Sequence, residues 1–167
     1  MQMRMESGLF DTLFADEYRG VLALARRIAG TAAAEDIAQE AFAALYRSGP
    51  QDRLHAKNWL YRIALHRSLD LVKRNGRHRD RELQLELPDA PPQPSELVER
   101  RETRELVQRA LNKVKPIHAA ALSLRHSGFS YKEIAAMLDV PVERVGVLLM
   151  RAEAAIKKEL NDVASPQ

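Results

Sequence analysis

No cysteine occurs anywhere in the chain. That absence excludes disulfides, thiolate chemistry and cysteine-built zinc fingers. The five histidines (His55, His66, His78, His118, His126) never fall at the i, i+4 spacing that would put two ligands on one helix face, so no metal site is expected. A glycine-rich phosphate loop is missing, and no pair of carboxylates is set apart by its spacing; neither an enzyme nor a cofactor is expected. No apolar run approaches the ~20 residues that span a bilayer, so a membrane protein is not expected either. Residues 1–8 lack the apolar centre of an export signal, which points to the cytoplasm. Strand signals are nearly absent, with no sustained β-branched alternation.

What remains is helical, basic and long enough at 167 residues for two small domains. The net charge of +3 hides an uneven distribution. Residues 1–52 hold five basic and eight acidic side chains, and residues 53–81 hold nine and two. Residues 82–105 hold three and seven, and residues 106–167 nine and six. A basic block, an acidic block and a mildly basic end suggest polyanion contact at two separate places.

Apolar periodicity predicts a first helix carrying Phe14, Tyr18, Val21, Ala25 and Ile28 inward, stopped by Gly30. A second helix is expected from Ala34 to Ser48, with Ile37, Ala41, Ala44 and Leu45 inward, and a third from Ala56 to Arg74. On the third, Trp59, Leu60, Ile63, Ala64 and Leu71 form the apolar stripe. Trp59 could stack on a displaced base, but its neighbours favour a place in the core, as for Tyr61 and Phe42. Pro88, Pro91, Pro92 and Pro94 then forbid a helix, and residues 76–94 read as a solvated acidic tether. Ser95 is a candidate N-cap for a helix to Lys113, and Pro116 opens the next one. Ser130 to Glu133 forms a capping box for a helix bearing Ile134, Ala135 and Leu138. After a break at Asp139-Val140-Pro141, a last helix aligns Val145, Leu149, Ala152 and Ile156.

Three segments carry chemistry. The two helices around Asp139-Val140-Pro141 have the form of a DNA-binding helix-turn-helix, though an ordinary helical hairpin would share the pattern. On the third helix Arg62, His66 and Lys73 share a face, with Arg67 and Arg74 beside them; only Asp70 and Asp80 oppose the cations of residues 53–81. Such a face neutralises phosphates, where a generic helix would simply present it to water. On the second helix Asp36, Gln39 and Glu40 share an acidic and amide surface at i, i+3, i+4. Acids near a helix start also complement its dipole, which accounts for Glu35 and Asp36 better than for Gln39 and Glu40.

Glu35-Asp36-Ile37-Ala38-Gln39-Glu40-Ala41-Phe42 resembles a signature of the extracytoplasmic-function group of bacterial sigma factors. Trp59-Leu60-Tyr61-Arg62-Ile63-Ala64 is similar to that group's second motif, and the helix-turn-helix to its second domain. The resemblance implies an all-α fold of two small helical domains joined by a flexible linker. The first, residues 8–75, would be a three-helix domain like sigma region 2; residues 76–94 would be the linker; and residues 95–161 a helix-turn-helix domain like sigma region 4.

It further implies that Glu35, Asp36, Gln39 and Glu40 dock on the clamp coiled coil of core RNA polymerase. The −10 promoter element would be read and melted by Arg53, His55, Lys57 and Asn58, in a loop from Ser48 to Lys57, together with Arg62, His66, Arg67, Lys73 and Arg74. The −35 element would be held by Ser130, Lys132, Val142, Glu143, Arg144, Val147, Leu148 and Arg151. An anti-sigma factor, free or membrane-attached, would be a further partner. This chain departs from the family at Gly146-Val147-Leu148, where members carry a lysine, a serine and an arginine. Glycine also weakens a helix interior by ~1 kcal/mol. The −35 contact would then be weaker, more dependent on shape or unusual in sequence, with Lys132 and the start of the last helix carrying more of it. Two other functions fit less well: a sigma mimic that sequesters an anti-sigma factor, and a plain helix-turn-helix repressor.

Overall fold

The computed structural model describes residues 4–75 and 95–164, with side chains over 4–75 and 99–162. Seven α-helices and no strand lie among the described residues. They are α1 (Ser7–Ala29), α2 (Thr31–Ser48), α3 (Arg53–Asn75), α4 (Ser95–Lys113), α5 (Pro116–His126), α6 (Tyr131–Leu138) and α7 (Val142–Ala164). They fall into two compact units, α1–α3 and α4–α7. The expected tether of residues 76–94, with its four prolines and with Arg77, Arg79 and Arg81, lies outside the described residues.

In the first unit all three helices pack on one another. Leu13, Leu24, Ile28, Leu45, Leu60 and Leu65 are sealed from solvent, each contributing about 1.5–3 kcal/mol of burial. Gly30 alone separates α1 from α2. It has φ +91°, a conformation that costs glycine little, and its amide donates to the Arg26 carbonyl at 2.9 Å. The early turn starts α2 at Thr31, three residues before the expected Ala34. A second glycine serves close approach. A β-carbon at Gly20 on α1 would collide with the hydroxyl of buried Tyr61 on α3. That hydroxyl donates to Glu17 Oε2 at 3.1 Å, so α3 lies directly across this stretch of α1.

Two inward assignments need correcting. Phe14 is 45% exposed, because Leu13 takes the core position. Phe14 instead joins Phe10, Tyr18, Phe42 and Tyr46 in an aromatic cluster between α1 and α2, with ring centroids 4.9–6.1 Å apart. Trp59 is half-buried, whereas Tyr61 and Phe42 are core residues as expected. Its helical position groups it with exposed His55, Arg62 and His66, away from the core face of Leu60, Ala64 and Leu65.

In the second unit Pro116 sits in the first turn of α5, where its missing N–H costs nothing. The expected capping box is formed: Ser130 Oγ accepts from the Glu133 amide at 3.1 Å, and Glu133 Oε2 accepts from the Ser130 amide at 2.8 Å. Asp139 closes α6 in the left-handed region, at φ 56° and ψ 48°, a conformation aspartate tolerates better than most residues. Pro141 then lets the chain restart as α7 at Val142. Val145, Leu148, Leu149 and Ala152 of α7 are buried against α4, α5 and α6.

Candidate functional site

Three surfaces carry the residues singled out by sequence. The first is the outer face of α2. Ala34, Ile37, Ala38, Ala41 and Leu45 bury one side. Glu35, Asp36 and Glu40 turn outward and are exposed. Gln39 is exposed with them, so this face presents three carboxylates and an amide, as the spacing predicts. Since α2 begins at Thr31, no acid lies in its first turn. The macrodipole acts mainly on that turn, so it does not account for Glu35 or Asp36. The helix carries an acidic face its own stability does not require.

The second surface is α3. The expected loop from Ser48 to Lys57 is shorter: α3 starts at Arg53, so Arg53, His55 and Lys57 are helical. Asp52 produces the early start. Its carboxylate accepts from the His55 amide at 3.1 Å, as an N-cap does, and lies 2.8 Å from His55 Nδ1. Those two contacts, the amide first, hold the Asp52 carboxyl below the ordinary carboxylate value.

Arg53 pairs with Asp16 at 2.6 Å, and Lys57 lies 3.6 Å from Glu17, so two expected DNA contacts lean on acids of α1. Sequence reading missed those acids because nothing local marks a pair 37 residues apart. Arg67 pairs with Glu40 at 2.8 Å, joining the basic face to the acidic one. Surface pairs of this kind are weak, on the order of 0–1 kcal/mol, so a phosphate can displace the acid. Arg62, His66, Lys73 and Arg74 are all exposed; Asn58 is half-buried. Tyr61 sits beneath this surface. Burial, then the Glu17 carboxylate, raises its hydroxyl far above the usual tyrosine range, which keeps it a donor to Glu17.

The third surface is α6–α7. Lys132, Glu143, Arg144 and Arg151 are exposed, as are Val142 and Val147. Ser130 is exposed, but its oxygen serves the cap. Leu148 is a correction. At 1% exposure it belongs to the core and cannot touch a nucleic acid. Only Gly146 and Val147 therefore leave this part of the recognition helix uncharged on its surface.

Sequence reading also missed a cationic neighbourhood beneath α7. His118 of α5, 8% exposed, is held below the ordinary histidine value by burial first, then by Arg151, Lys115 and Arg144. Arg125 lies over the Tyr131 ring, 5.2 Å from its centroid, adding a cation at the start of α6. Among the described residues no group of three metal-ligating side chains could hold an ion. No helix among them is long and apolar enough to cross a membrane.

The model of sigma-70 region 2 matches residues 13–78, and that of sigma-70 region 4 matches residues 104–156. The chain is 31% identical to the RNA polymerase sigma-H factor of Pseudomonas aeruginosa, over 94% of this chain and 89% of that protein. It is 28% identical to the RNA polymerase sigma factor YlaC of Bacillus subtilis, over 90% and 91% respectively. Among solved structures, the sigma factor RpoE from Bartonella quintana, crystallised with the anti-sigma factor NepR, matches with a TM-score of 0.68 at 19% identity. That likeness covers 91% of this chain and 96% of the other, and bears on the fold alone. The chain thus belongs to the extracytoplasmic-function group of the sigma-70 family of RNA polymerase sigma factors.

Proposed function

We propose that this chain binds core RNA polymerase and directs it to a small set of promoters, under the restraint of an anti-sigma factor. The observation that carries the reading is the succession of region 2 and region 4 matches, one on each helical unit. On this reading Glu35, Asp36, Gln39 and Glu40 meet the polymerase, and their exposure supports that role. Arg62, His66, Lys73 and Arg74 contact the −10 element, joined by Arg53, Lys57 and Arg67 once phosphate replaces their acidic partners. His55 and Asn58 lie at the start of the same helix. Lys132, Arg144 and Arg151 grip the −35 duplex. The two contacts reinforce each other because they belong to one chain, the second forming at an effective concentration of about millimolar. The anti-sigma partner is inferred from the family and from the complex in which the RpoE relative was crystallised.

A sigma mimic that sequesters an anti-sigma factor is the second reading, favoured by the uncharged Gly146 and Val147 on the recognition helix. A plain repressor would need neither the acidic face of α2 nor the basic face of α3. Run-off transcription with purified core polymerase and a promoter library separates these. Specific start sites are expected for a sigma factor. Their absence, with tight capture of an anti-sigma factor, would establish the mimic.

A further inference from the structure

The outward stripe of α7 has an unusual make-up for a helix flanked by cations. Val145, Leu148, Leu149 and Ala152 fix the inner side. Residues Glu143, Val147 and Met150, at i, i+4 and i+7, therefore share the side that faces away from the core. Met150 is 63% exposed and Val147 39%. Gly146 beside them contributes no side chain. Exposed Arg144, Arg151, Lys132 and Arg125 belong to the same helix-turn-helix unit and set cations about this apolar centre, with exposed Asp139, Glu143 and Glu153 among them.

A major groove presents hydrogen-bonding edges almost everywhere; its one apolar feature is the thymine C5-methyl group. Val147 and Met150 have no hydrogen-bonding group to offer except the weak methionine sulfur, so that methyl is what they complement. Their spacing fits. Three residues of helix advance about 4.5 Å, near the rise of about 3.4 Å between base pairs. A protein partner would also cover an apolar centre, but exposed Lys132, Arg144 and Arg151 are available to pair with phosphates, which favours a phosphate-lined groove.

We propose that Val147 and Met150 read the methyl groups of neighbouring thymines in the −35 duplex, so that the promoters of this chain are selected partly by hydrophobic contact. This inference rests on the promoter-binding function proposed for the chain. Glu143, on the same stripe, supplies an acceptor for a cytosine N4 amino group at the edge of the element.

The test uses the full chain with core polymerase and a promoter found by run-off transcription. Each thymine of the upstream element is replaced by uracil, which removes only the methyl group, and binding is followed by fluorescence anisotropy. Thymine-to-uracil exchange at a contacted position should weaken binding about fourfold. The double variant V147S/M150Q should bind the thymine promoter more weakly and no longer distinguish thymine from uracil, at an unchanged salt slope, because neither side chain neutralises a phosphate. Both side chains are exposed, so its melting temperature should match the wild type. Equal binding of thymine and uracil promoters by the wild type would overturn the inference while leaving promoter recognition intact. So would promoters lacking thymine in the upstream element, or a double variant that binds DNA normally and loses only a protein partner. Failure to initiate at any promoter would instead defeat the function itself, and this inference with it.

Discussion

Replacing Gly20 by alanine tests the helix crossing that holds the basic α3 in place. The added β-carbon would overlap the Tyr61 hydroxyl, and it would lie 3.2 Å from the ring carbon Cζ. Tyr61 is 2% exposed and its hydroxyl is bonded to Glu17, so it has little room to retreat. Overpacking of this kind costs about 1–3 kcal/mol. Alanine returns about 1 kcal/mol of helix propensity, so G20A should lose on the order of 1 kcal/mol net. Y61F alone should lose about 1 kcal/mol with the hydrogen bond. In the G20A/Y61F double variant the hydroxyl is gone and the more distant ring carbon Cζ becomes the nearest contact, so the new methyl should be neutral or mildly stabilising. The predicted coupling is about 1–2 kcal/mol in the favourable direction. Thermal unfolding of the full chain reads it as a shift of about 4–8 °C per kcal/mol for a unit of this size. Losses additive within about 0.5 kcal/mol would refute the crossing described here.

Other perturbations separate inner from outer residues. L148A should cost about 2–5 kcal/mol, whereas V147A should stay within about 0.5 kcal/mol by thermal melting, because only Leu148 is buried. Alanine at Arg62, Arg67 and Lys73 together should lower promoter opening, read by permanganate footprinting. The same triple variant should reduce the slope of log affinity against log salt by about 1 for each phosphate no longer neutralised, read by salt titration. His118 binds protons less readily folded than unfolded, so the unfolded state takes up the extra proton as pH falls. The stability of the second unit should therefore decline below the ordinary histidine value of 6.5, and H118Q should flatten that decline in pH-dependent melts.

Much of this fold was legible in the sequence because it rests on local rules. The capping box at Ser130 and Glu133, the break at Asp139-Val140-Pro141 and the proline at the start of α5 each arise within one helical turn. Where the reading failed, the deciding contact was distant or depended on helix phase. Asp52 began α3 early and turned a presumed loop into helix. Leu13 displaced Phe14 because the direction of the inward face is set by α2 and α3. Leu148 followed the family motif in sequence but the core in space. Of the candidate sites, the acidic face of α2 was the most readable, since its apolar side and its outward Glu35, Asp36, Gln39 and Glu40 both repeat at helical spacing. The ion pairs of Arg53, Lys57 and Arg67 were invisible because their partners sit on other helices.

Whether the acidic face of α2 docks this chain on core RNA polymerase is decided by its affinity for purified core enzyme at low salt, without any inhibitor. The wild type should bind, and D36R/E40R should lose binding at least about a hundredfold with its helical circular dichroism unchanged, since both side chains are exposed. A wild-type chain with no affinity for core enzyme, or a charge-reversed variant that binds as well as the wild type, would rule out docking through α2.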